Sequence, residues 1–75
     1  MTQDGYAVVL VYATSHAMRL EKLLRKEAIP CKLIPVPRHL SSDCGACVRI
    51  SIEDVDNVRR VVAAAHMEVA SIQAI

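Results

Sequence analysis

Apolar residues fall in short runs along this chain, and the spacing inside each run predicts an element. "YAVVLVY", Tyr6–Tyr12, is a β-branched run too short for a helix. Both of its alternating faces are apolar, which predicts a central strand covered on both sides. "ATSHAMRLEKLLRKEAI" changes period. Ala17, Leu20, Leu23, Leu24 and Ala28 form one stripe at helical spacing, with Arg19, Lys22, Arg25 and Lys26 away from it. A helix is expected from about Ser15 to Ala28, capped by Thr14 or Ser15 and stopped by Pro30.

"CKLIPV" reads as a second strand, and Pro35 places it near a sheet edge. "PRHLSSD" is turn and loop chemistry. "ACVRISI" alternates cleanly as a third strand, with Val48, Ile50 and Ile52 on one face and Cys47, Arg49 and Ser51 on the other. Ser51 with Asp54 is a capping-box variant opening a second helix, about Glu53–Ala65. Val55, Val58, Val61, Val62 and Ala65 give that helix its buried stripe. "MEVASIQAI" closes the chain as a fourth strand with the weakest patterning of the four.

The resulting order, β-α-β-β-α-β, predicts an α+β ferredoxin-like two-layer sandwich, a four-stranded antiparallel sheet with two helices on one face. Enzymes, carriers, regulatory modules and nucleic-acid binders share that fold, so it leaves function open. It does place the β2–β3 hairpin at the same end as the start of the first helix. With both helices on one side, the other sheet face is open, and a doubly apolar first strand then points to self-association through that face.

Length sets the scale of the core. The chain has 75 residues, one domain (1–75) with residues 1–5 as a flexible lead-in, and no Trp or Phe. Its core must be aliphatic and contributes roughly 3–5 kcal/mol at this size. A net charge of +1 argues against nucleic acid, which calls for a basic excess and stacking aromatics. No run approaches the ~20 apolar residues of a bilayer-spanning segment, so no membrane partner is expected. The first residues carry an acid where a secretory leader needs bases, and the expected compartment is the reducing cytoplasm.

Three cysteines and two glycines change the picture, because two of the cysteines and one glycine share "SSDCGAC". An odd cysteine count in a reducing compartment suits a reactive thiol better than a disulfide framework. Cys44 follows Ser41, Ser42 and Asp43 and precedes Gly45, which permits positive φ or a close backbone approach. A sulfur so flanked by backbone N–H groups suits a persulfide or selenide carrier, while Asp43 opposes a thiolate unless it faces away. An incidental loop cysteine is the competing reading. Cys47 either resolves an oxidised Cys44 as a disulfide or fills space on the sheet. The helix start and His16 can favour a thiolate nearby if the topology brings them close. Arg38, His39 and Arg49 form either a cationic rim around Cys44 or ordinary solvated charges. Cys31 is expected to be inert packing. One C-x-x-C supplies half the ligands of a structural zinc site, so no metal and no resident cofactor are expected within one chain.

The segments "SHAMRLEKLL", "KLIPVPRHLSSDCG" and the acidic helix start after "RISIED" resemble the selenium/sulfur carrier protein-like family, from roughly Val8 to Ile72. These are short bacterial domains found alone or joined to selenium- and sulfur-metabolism proteins. The resemblance implies that Cys44 is the carrier thiol and that Gly45 and the two serines belong to its motif. Cys47 falls where only some members carry cysteine. The implied role is non-catalytic: Cys44 takes sulfur or selenium from a donor such as a cysteine desulfurase and passes it to an acceptor enzyme. The alternatives are an interaction or small-ligand-binding module with accidental cysteines, and a Cys44/Cys47 dithiol redox protein.

Overall fold

A computed structural model describes residues 5–37, 40 and 45–75 of the chain. The elements are β1 (Tyr6–Leu10), α1 (Thr14–Lys26), β2 (Cys31–Pro35), β3 (Ala46–Ser51), α2 (Val55–Ala64) and β4 (Ser71–Ala74). A short 3-10 turn, Ile52–Asp54, leads into α2. The strands form one antiparallel sheet in the order β2-β3-β1-β4, with the β-branched runs of β1 and β3 in the middle. This is the ferredoxin-like arrangement. Among the described residues, no helix is long and apolar enough to cross a membrane.

Strand alternation sorts the core into two layers. Ala7, Val9, Val11, Val48 and Ile50 face the helices and pack with Ala17, Leu20, Leu24, Val58 and Val62. Val8, Leu10 and Cys47 face the other way and are buried too. What covers them is the chain itself. Ile34, Val36 and Leu40, from β2 and the segment after it, pack against those three side chains. The doubly apolar β1 is thus covered on its second face from within one chain.

The helix boundaries depart from the sequence expectation at three places, each for a backbone reason. Ala13, in extended conformation, is the N-terminal flanking residue of α1, and its carbonyl accepts from the N–H of His16 and Ala17. Thr14 and Ser15 therefore lie inside the first turn, and no side-chain cap forms at Ala13. Ser51 likewise makes no capping hydrogen bond. It is still paired with Tyr6 in β3, and the next N–H, of Ile52, donates to the Gly5 carbonyl before α2 begins. At the far end, α1 stops at Lys26, well before Pro30. Ile29 N–H reaches back to the Leu24 carbonyl and Ala28 N–H to that of Arg25. This paired closure, the Schellman motif, requires a left-handed residue, which here is Ala28 at φ 60. α2 ends in the same way, with Met67 bonded to Val62 and His66 at φ 54. That closure occupies residues 65–67, which is one reason β4 starts only at Ser71.

A side chain in the left-handed region carries a penalty that glycine escapes. Ala28→Gly is expected to raise stability by about 0.5–1 kcal/mol, net of glycine's extra unfolded-state entropy. Urea titration checks it, and a loss of stability would contradict the geometry at Ala28.

Candidate functional site

The site is built on the β2–β3 connection. Pairing of the two strands runs up to Pro35 opposite Ala46. One bond further, Val36 N–H donates to the Gly45 carbonyl at 3.3 Å and pinches the base of the connection. Leu40 N–H donates to the Pro37 carbonyl at 3.0 Å, turning the chain back towards the sheet. Both ends of the connection are therefore held, and Cys44 is the residue next to the anchored Gly45. Arg38, His39, Ser41, Ser42, Asp43 and Cys44 lie outside the described residues.

Cys47 stands beneath this connection. Its alternation in β3 turns it to the sheet face away from the helices, where it has no exposed surface and packs with Val8 and Leu10. Its Sγ lies 3.9 Å from the Pro35 carbonyl oxygen, a geometry in which the thiol donates weakly. The sulfur is out of reach of solvent here, with Ile34, Val36 and Leu40 packed against its cluster. Cys31 is half-buried on the helix side, its Sγ 3.6 Å from the Glu21 carbonyl oxygen. Burial pushes the Cys31 thiol above its ordinary range, against the opposing pull of Arg25. It is a packing residue, as its sequence position suggested.

Gly45 is exposed, and its φ is not positive. A Cβ placed on it would meet nothing within 4 Å. The fold itself therefore does not require glycine here, contrary to the conformational expectation from sequence.

The register puts the connection and the start of α1 at the same end of the sheet, since Val9 of β1 pairs with Val48 of β3. They occupy different layers there. Val36 and Leu40 lie on the face away from the helices, whereas His16 lines a small cavity of about 240 Å³ with Arg19, His66, Met67 and Glu68. Its Nδ1 is buried and has no hydrogen-bond partner among the described residues. Among the described residues, His16 therefore meets the α2–β4 connection rather than the β2–β3 one. Arg49, half-buried, sets its guanidinium 4.4 Å over the Tyr6 ring, a cation–π contact that sequence reasoning missed. The signal was there: Arg49 and Tyr6 are diagonal neighbours once β1 and β3 are paired. No group of three His, Cys, Asp or Glu side chains among the described residues can hold a metal ion.

Fold and connection together define a ferredoxin-like domain with a cysteine-bearing hairpin anchored at its base. The family model described as "Putative Se/S carrier protein-like" matches residues 6–73, and the chain belongs to that family. No curated protein and no solved structure matches it.

Proposed function

We propose that this protein is a one-cysteine carrier of sulfane sulfur or selenium, with Cys44 as the carrying atom and no catalytic turnover of its own. The observation that carries the reading is the family match, which spans the whole Ser41–Gly45 motif. Geometry supports the choice among the three thiols. Cys47 has no exposed surface, and Cys31 is packed against α1 with its thiolate disfavoured.

The chemistry is an exchange of S–S bonds with no net oxidation. The Cys44 thiolate attacks the outer sulfur of a donor enzyme's persulfide, such as that of a cysteine desulfurase. The donor's S–S bond breaks, its cysteine leaves as a thiolate, and the new S–S bond stands on Cys44. The reverse step at an acceptor enzyme's thiolate delivers the atom. Selenium travels in the same way as a selenosulfide.

Incubation with a cysteine desulfurase and free cysteine, followed by intact-protein mass spectrometry, tests the proposal. The wild-type chain should gain the mass of one sulfur, Cys47→Ala should gain it equally, and Cys44→Ser should gain none. Loading of the Cys44→Ser chain would overturn it.

A further inference from the structure

One row of side chains crosses the sheet face away from the helices just below the Ile34–Cys47 pair. Lys32 of β2 is opposite Arg49 of β3, Arg49 is opposite Val8, and Val8 is opposite Gln73 of β4. Alternation places all four on the face of the second apolar cluster, because Val8 belongs to it. Tyr6, 44 % exposed, lies diagonally beside Arg49. Val8 is buried in that cluster, while Lys32 and Gln73, at the two ends of the row, are exposed.

Two like charges directly opposite on neighbouring strands weaken the sheet that holds them. Neither Lys32 nor Arg49 has an ion-pair partner among the described residues, where the single pair is Arg25–Glu21 on α1. The described carboxylates sit on other elements: Glu21 on α1 and Glu27 after it, Glu53 to Asp56 around the start of α2, and Glu68 after it. Strands β1 to β4 contribute none. Among the described residues Arg49 is met by the Tyr6 ring and by no carboxylate, and the like-charge pair is a local cost to the free protein that an anionic ligand would lower.

We infer that this row docks an acidic segment of the protein that exchanges sulfur with Cys44. The identity of that partner rests on the carrier reading; the charge complementarity does not. Strands β2 and β3, which bear Lys32 and Arg49, are the two that the Cys44 connection joins. The row lies two residues along each strand from the connection's apolar footing, about 6–7 Å. A carboxylate-bearing segment seated on Lys32 and Arg49, with an apolar neighbour on Tyr6, would bring its protein alongside the connection.

The test uses the full chain, labelled with nitrogen-15 and titrated with a short oligoglutamate peptide, with oligolysine as the control. Amide shifts are expected at Tyr6, Lys32, Arg49 and Gln73 and are expected to vanish at high salt. Lys32→Glu should weaken binding by about tenfold or more while converting the like pair into an opposite one, so its melting temperature should rise by about 1–5 °C. Arg49→Gln should weaken binding similarly. Shifts confined to Arg19, Lys22 and Lys26 of α1, or none at all, would overturn the inference. Loading from inorganic polysulfide separates the two readings. It needs no docking, so Lys32→Glu should load as the wild type does. A wild-type chain that fails to load would fell the carrier reading alone, with docking still decided by the titration.

Discussion

Val8→Asp is expected to unfold most of the protein at neutral pH, although Val8 lies on the sheet face away from both helices. Val8 has no exposed surface and packs with Leu10, Cys47 and Leu40. A carboxylate there would be buried without a partner, at a cost of about 3 kcal/mol or more. A core of this size holds roughly 3–5 kcal/mol in total. The variant also carries a pH signature. Burial raises the new carboxyl's folded-state pKa above its unfolded value, so the ionisation part of the penalty is absent below the unfolded pKa. It grows as pH rises towards the folded one. Circular dichroism from pH 4 to pH 8 should show helix lost on going up. Gln73→Asp, on the same face but exposed, is the control and should stay within about 0.5 kcal/mol of wild type. If Val8→Asp melts like the control, the face is open and the connection does not cover it.

That cover is also where sequence reasoning stopped short. The period-2 run of β3 and the helical stripes identified the layers, because alternation leaves Val48 and Ile50 no other side to face. A second apolar face on β1 was equally legible from "YAVVLVY". What would cover it was not, because Leu40 sits in "PRHLSSD", which reads as loop by composition, and Val36 reads only as the last residue of the second strand. The spacing of two apolar residues around a turn carries no period, so only the pairing of β2 with β3 shows where they land. The left-handed ends of α1 and α2 were hidden for a different reason. Glycine signals such an end, and here Ala28 and His66 hold it. Of the site residues, Cys47 was placed on the correct face, where it is buried with Leu40 packed against its cluster. The Ser41–Cys44 stretch was singled out by its chemistry and by the family motif, and those remain the grounds for it.

The same cover makes Cys47 a reporter on the connection that carries Cys44. In a Cys44→Ser background, alkylation of Cys47 by iodoacetamide requires Val36 and Leu40 to lift from the sheet. Its rate therefore follows the free energy of that local opening. Leu40 is half-buried, so Leu40→Ala should remove part of a full core-leucine contribution, about 1–2 kcal/mol. The Cys47 alkylation rate should rise by roughly 5- to 30-fold, since 1.4 kcal/mol is a factor of ten. Cys31, on the helix side of the sheet and away from the connection, should keep its rate. Equal acceleration of both thiols would mean that the whole domain, and not the connection, is opening. A wild-type Cys47 that already reacts as fast as a model thiol would return the Cys44–Cys47 dithiol to contention, because a resolving cysteine has to be reachable on the timescale of exchange. Slow reaction in the wild type, released by Leu40→Ala alone, leaves Cys47 as buried packing beneath the connection.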